Sequence, residues 1–220
     1  MAVANYHDTY GRYPPAVTYD GDGRPAHSWR ILILPYLEQR ELFQAYSFDE
    51  PWNGPNNSKL ATRMPQLFAF AGTYVSGKST STNFVAITGD ETVWPRGTGM
   101  VQSDLGDGPS NTIQFAEYNG PAVHWMSPED LKFESMSFVL GDPTGIDSQY
   151  LEPAVGMADG SVQRLRAEIS SEELRAMCTA NGHESELPDS HTEEMEDARL
   201  RSLKPTKDQS DSGHSGPAPN

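Results

Sequence analysis

Several side chains in this sequence are of types that do chemistry when the fold brings them together. Asp20-Gly21-Asp22-Gly23 alternates carboxylates, the pattern by which several oxygens converge on a hard cation such as Ca²⁺. It lacks the later spaced ligands and the closing Glu of an EF-hand, so a solvated turn is the expected structure there. His7, His27 and His124, with Asp8, Glu117 and Asp159, supply the base and the orienting acid that a hydrolase needs. No Gly-x-Ser-x-Gly or His-Glu-x-x-His phrase gives them a geometry. No catalytic residue is therefore assigned, and the chain is read as non-enzymatic. Trp29, Trp52, Trp94 and Trp125 can form a platform for sugars or partner proteins. Trp52 and Trp125 are read as scaffold. Trp94, in Val93-Trp94-Pro95-Arg96-Gly97, is placed on a solvent-facing loop and is the candidate partner-binding residue.

The elements that must position these groups follow from composition and pattern. The chain has 220 residues, with 16 Lys+Arg against 31 Asp+Glu and a net charge of −15. Such acidity, without a basic stripe, argues against nucleic-acid binding. The longest apolar run, Ile31-Leu32-Ile33-Leu34, falls far short of the roughly 20 residues that span a bilayer, so membrane insertion of this form is not expected. The single cysteine, Cys178, excludes an internal disulfide and a Cys-based zinc cluster; it is read as a packed thiol.

Residues 1–10 read as the last turns of a helix ended by Gly11 and Pro14-Pro15. With no capping box at its start, that helix is expected to continue one that began earlier. Ser28 is the expected cap of a helix through Trp29, Leu32, Ile33, Tyr36 and Leu37, kinked at Pro35. Helical spacing recurs over 40–46 and 56–64. Strands are expected at 67–70, 83–88 and 111–118, forming an antiparallel sheet. Ser127-Pro128-Glu129-Asp130 has the chemistry of a helix start. Asp159-Gly160 predicts a hairpin with a type I′ turn. Ser170-Ser171-Glu172-Glu173 predicts a capped helix closed by Asn181-Gly182. Asp107, Ser110 and Asn111 are read as turn chemistry before a buried strand. Residues 184–220 carry almost no large apolar side chains and are expected to be a disordered acidic tail to a globular domain of residues 1–183.

Six phrases together carry a resemblance. They are Asn5-Tyr6-His7-Asp8-Thr9-Tyr10-Gly11-Arg12-Tyr13-Pro14-Pro15; His27-Ser28-Trp29-Arg30 through Leu34-Pro35-Tyr36-Leu37-Glu38-Gln39; Phe48-Asp49-Glu50-Pro51-Trp52; Asp107-Gly108-Pro109-Ser110-Asn111-Thr112-Ile113; Trp125 with Pro128-Glu129-Asp130-Leu131; and Ala158-Asp159-Gly160-Ser161-Val162. In this order they resemble the bacterial prepilin-like proteins of domain of unknown function 1559, also named for a C-terminal His, nine residues, Asp-Gly motif. The resemblance implies an α+β, pilin-like fold: a truncated N-terminal helix packed on an antiparallel sheet of short strands, with extra short helices. The resemblance implies a leader and an apolar stalk ahead of such a helix, and residues 1–10 are expected to be the stump of it. The chain departs from the family at Gln149, which stands where the eponymous histidine would be, and at Phe70, where many members carry a cysteine. Both departures favour a structural role.

What the resemblance implies about function is a subunit or accessory of a pilus-like or type II secretion-like assembly of the cell envelope, with other pilin-like or secretion proteins as partners. Without a stalk the chain is expected to be monomeric in dilute buffer. Because pseudopilins of similar fold bind calcium in a C-terminal loop, Asp142 and Asp147 of Gly141-Asp142-Pro143-Thr144-Gly145-Ile146-Asp147 are the candidate Ca²⁺ ligands. No other cofactor is expected. The competing readings are a calcium-dependent or glycan-binding surface module and a hydrolase with an unrecognised site.

Overall fold

The computed structural model describes residues 1–182 and the backbone of 192 and 193. Its first third is helical and held by short turns. Helix α1 (Ala2–Tyr10) stops where Gly11 takes the left-handed conformation, φ 71°, and returns its N–H to His7 O. Strands β1 (Val17–Tyr19) and β2 (Pro25–Ser28) pair as a hairpin. Helix α2 (Trp29–Leu32) follows, with the Ser28 hydroxyl accepting from Arg30 N as its cap. A 3₁₀ turn (Leu34–Leu37), helix α3 (Arg40–Ala45) and a 3₁₀ helix (Asn57–Arg63) complete this part. The single helix expected through Leu37 is thus two separate turns. Pro35 has no N–H to continue the α pattern, and it sits at the start of the 3₁₀ turn, where none is needed.

The strands that follow are β3 (Ser81–Thr82), β4 (Phe84–Thr88), β5 (Ile113–Glu117), β6 (Val123–His124), β7 (Leu131–Lys132), β8 (Ala154–Met157) and β9 (Val162–Leu165), then helix α4 (Ser171–Met177) and strand β10 (Thr192–Glu193). Among the described residues the main sheet has six strands in the order β10-β9-β8-β5-β4-β7. All its pairings are antiparallel except β4 with β7, which is parallel. The fold is α+β. Side chains alternate across β4: Val85 and Ile87 join a core with Ile113, Met157, Leu174 and Cys178, while Ala86 faces a second core with Trp29, Leu34, Trp94 and Trp125. The sheet therefore separates the helical first third from α4 and the loops before it.

Helix α1 makes its principal contact with the turn Leu34–Leu37, where Tyr6 meets Tyr36 edge-on at 6.1 Å. It approaches the sheet at the β8–β9 turn, where Gly160 lies beside Met1 and Ala4, and the Tyr13 hydroxyl donates to Ala158 O at 2.9 Å. That is a narrower packing than a helix laid across the strands.

Other expectations are corrected. Residues 67–70 are no strand; Gln66–Phe68 is a 3₁₀ turn. Residues 127–130 start no helix, because the Asp130 carboxylate is drawn inward to Arg30 and Ala86 instead of capping its own backbone. The 159–160 hairpin forms, yet only Gly160 has positive φ (89°), so the turn is not type I′. Gly160 N bonds Met157 O and Met157 N bonds Ser161 O, the pattern of a type I turn closed by a left-handed residue. Helix α4 has the expected Ser170 cap on Glu173 N but ends at Met177, before Asn181-Gly182. Residues 184–220, other than the paired Thr192–Glu193, lie outside the described residues. Among the described residues no helix is long and apolar enough to cross a membrane.

Candidate binding cleft

Arg30 is a lone cation beside an apolar run, and the fold buries it completely. Such a group is stable only when paired and fully hydrogen-bonded. Its Nη2 lies 2.6 Å from Asp130 Oδ1 and 2.8 Å from Phe84 O; Nε reaches Phe84 O at 3.2 Å and Nη1 reaches Ser28 Oγ at 3.1 Å. The guanidinium also lies 4.8 Å from the centre of the Trp29 ring. Asp130 is equally enclosed, with 1% of its side chain exposed. It accepts from Ala86 N at 2.7 Å and from Trp29 Nε1 at 3.2 Å. Burial pushes its carboxyl above the ordinary value, opposed by the Arg30 charge and these donors. One ion pair thus ties α2, β4 and the start of β7 together.

Above this pair opens a cleft of about 870 Å³ between the β1–β2 hairpin, the loop after β4 and the segment 118–134; Asp130 forms part of its wall. Trp52, Arg96, Glu129, Lys132 and Glu134 line it as well. Trp52 is held from two sides. Its backbone N–H donates to Ala26 O at 2.9 Å, and its ring lies against that of His124, tilted by 35° with centroids 4.9 Å apart. The loop that carries it is knotted by Asn57, fully buried, whose amide donates to the carbonyls of Ser47, Glu50 and Pro51, and by Glu50, which accepts from Asn56 N and Asn57 N.

Of the residues singled out from the sequence, Trp52 and Trp94 line the cleft, whereas Asp20, Asp22, Asp142 and Asp147 lie elsewhere. Trp94 is 1% exposed, its ring tilted against that of Trp29 with centroids 5.4 Å apart, and its Nε1 donates to Gln114 O at 2.6 Å. The expectation that it faces solvent is corrected: the bridge between Thr88 and Trp94 turns the loop back onto the sheet. Asp142 folds over its own loop, accepting from Thr144 N and Oγ1 at 2.8 and 2.7 Å, and these bonds hold its pKa below the ordinary value. Asp147 Oδ1 accepts from Ser148 N. Asp20 and Asp22 are bound by Arg24, at 2.9 and 2.6 Å, which closes the β1–β2 turn. Among the described residues no group of three or more His, Cys, Asp or Glu is placed to hold a metal ion.

The residue types of a hydrolase are dispersed. His7 packs beside Tyr13. His27 Nδ1 meets the Tyr46 hydroxyl at 2.8 Å, and burial lowers the imidazole pKa while raising that of the phenol. His124 Nδ1 accepts from Met126 N, and burial lowers its pKa too. Glu117 accepts from Ser148 Oγ and Ala154 N. Asp159 Oδ1 accepts from Ser161 N and Oγ within its turn. Asn111 Nδ2 donates to Asp107 O within the turn, as the turn reading implies, but the Asp107 carboxylate reaches far along the chain instead, accepting from Gly182 N after α4. The two departures at Gln149 and Phe70 are neighbours: Gln149 Nε2 donates to Ala71 O at 3.5 Å, and Tyr150 meets the Phe70 ring edge-on. Sequence reasoning missed Arg30 and Asp130 as a pair. The one available signal was an arginine next to a run of four apolar residues.

The fold is α+β and carries a preformed recess. Residues 1–99 match the model of a family described as a protein of unknown function, DUF1559, which supports that family for this part of the chain. The phrases at 5–15, 27–39 and 48–52 fall within the matched span. No curated protein and no solved structure matches the chain.

Proposed function

We propose that the protein is a non-enzymatic, pilin-like or pseudopilin-like subunit or accessory of a cell-envelope or type II secretion-like assembly, with its cleft as the recognition surface. One observation carries the reading. Residues from three of the phrases behind the resemblance meet at a single cleft: Trp52 and Asp130 line it, and Arg30, buried behind the wall, holds Asp130 in place. They do so as scaffold: the charges of Arg30 and Asp130 are spent on each other and on backbone groups, and Trp52 is fixed by Ala26 and His124. The match of residues 1–99 to the family supports the same reading. Partners in this account are other envelope proteins of the assembly.

Fractionation of the native cells, followed by crosslinking and detection with an antibody to the chain, tests it. The chain is expected in the envelope fraction, crosslinked to larger species. Recovery wholly in the cytosolic fraction as a single uncrosslinked species would overturn the proposal. The purified chain is expected to scatter light as a monomer in dilute buffer; filaments or a stable oligomer would contradict that part.

A further inference from the structure

Of the four tryptophans, three spend their indole N–H inside the protein: Trp29 on Asp130, Trp94 on the Gln114 carbonyl and Trp125 on the Ala61 carbonyl. Trp52 is the exception. It is half-buried in the cleft wall, backed by His124, and among the described residues its N–H has no protein acceptor. A rigid indole with one supported face and a free donor is an amphipathic surface in waiting, apolar over the ring and wet at the edge.

Around it the cleft carries Arg96 and Lys132 against Glu129 and Glu134, all four exposed and, among the described residues, none of them in an ion pair. Two positive and two negative side chains cancel, and the Arg30–Asp130 pair below cancels as well. On a chain of net charge −15 this is a local neutrality. It offers strong donors and strong acceptors together without selecting an ion of either sign.

From this geometry we infer that the cleft binds a neutral oligosaccharide, one ring stacked on Trp52 and its hydroxyls bonded to the four charged side chains. Each sugar hydroxyl both donates and accepts, so it can satisfy a carboxylate and an ammonium or guanidinium group alike. A recess of about 870 Å³ lies in the range, roughly 300–1,000 Å³, of sites that enclose a small ligand. That suits two or three sugar rings. An extended proline-rich peptide would also stack on Trp52, but its rings would strip water from the four charges and give them nothing in return. The inference concerns the same cleft as the assembly role proposed above but gives it a ligand of another class, and its test reads sugar binding alone, so either reading can fail without the other.

The test uses the full chain and a panel of neutral trisaccharides, namely cellotriose, maltotriose, mannotriose and N-acetylchitotriose. Trigalacturonate and decaproline serve as the competing classes. Binding is followed by tryptophan fluorescence and by calorimetry. The expected result is saturable binding of at least one neutral sugar, weakened about tenfold or more in Trp52→Leu and in the double variant E129Q/E134Q. The glutamine variant alters exposed residues and leaves the core intact, so it decides the matter if the tryptophan variant fails to fold. Absence of binding across the neutral panel, tighter binding of trigalacturonate or decaproline, or neutral-sugar binding unchanged in E129Q/E134Q would each overturn the inference.

Discussion

Deleting the Asp130 carboxylate strands the Arg30 charge in the interior, and the cost can be worked from the geometry. The pair meets at 2.6 Å with both side chains essentially unexposed. At an effective dielectric near 20 that contact is worth roughly 6 kcal/mol before desolvation. Burial of the two ions cancels most of it, so the pair as a whole adds little net stability. Removing one partner is a different matter. Arg30 keeps the Phe84 carbonyl, the Ser28 hydroxyl and the face of the Trp29 ring, none of them charged. Its desolvation is then unopposed, a loss of roughly 3–5 kcal/mol. Asp130→Ala also frees the N–H of Ala86 and the indole N–H of Trp29. Since whole domains are stable by about 5–15 kcal/mol, Asp130→Ala should fold marginally. Urea unfolding at neutral pH, followed by tryptophan fluorescence, measures it for Asp130→Ala, Arg30→Met and the double variant R30M/D130L. Each single change is expected to cost about 3–5 kcal/mol, and the double change clearly less than their sum. A single-variant cost below about 1 kcal/mol, or strict additivity in the cycle, would refute the reasoning.

Three further outcomes follow from the same coordinates. Tyr13 is buried with its hydroxyl on Ala158 O, and burial together with nearby Asp159 pushes its pKa from 10 to about 12; the folded state therefore holds a proton that the unfolded state loses between those values. Stability should be intact below pH 10 and fall by about 2 kcal/mol as the pH rises towards 12, with a shallower fall in Tyr13→Phe, as read from alkaline urea titrations. His27 and His124 run the other way, since burial lowers both from the ordinary 6.5 and the unfolded chain binds more protons just below that pH. The melting temperature should drop as pH falls from 7 to about 5, and the drop should shrink in H27Q/H124Q; an unchanged slope would contradict it. At Gly99 an added Cβ would stand 1.8 Å from the Tyr13 carbonyl oxygen, a backbone atom that cannot swing aside. Gly99→Ala should cost at least about 2–3 kcal/mol in chemical unfolding, whereas Gly21→Ala, with open space around it, should cost almost nothing.

Local chemistry decided what was legible in the sequence. The stop at Gly11, the caps at Ser28 and Ser170, strands β4 and β5 and the turn at Gly160 depend on residues within a few positions of one another, and all are present. Ser127-Pro128-Glu129-Asp130 shows where such reasoning stops. Its residue types are those of a helix start, but Asp130 is claimed by Arg30, one hundred positions earlier, and by Ala86 on β4. Trp94 fails in the same way. Flanked by Pro95 and Gly97 it reads as a loop tip, and only the Gln114 carbonyl, twenty residues on, explains why it is buried. The cleft was invisible for that reason too, since its walls come from segments around 19–25, 52, 88–97 and 118–134.

The misread segments share a cause, and it bears on how the molecule is built. The first third and the sheet fold by local rules, yet nothing local tells them how to dock. The apolar faces alone would permit more than one register, because Leu, Ile and Val make no directional contacts. Arg30 removes that freedom: its five donors have a fixed fork geometry, and the Phe84 carbonyl, the Ser28 hydroxyl and the Asp130 carboxylate engage four of them together. A shift of the helical third by one residue would leave a buried guanidinium short of acceptors, a penalty of several kcal/mol per ion. The pair therefore earns little stability in the native state and costs heavily in every near-native alternative, which is how two locally specified halves come to enclose one defined cleft.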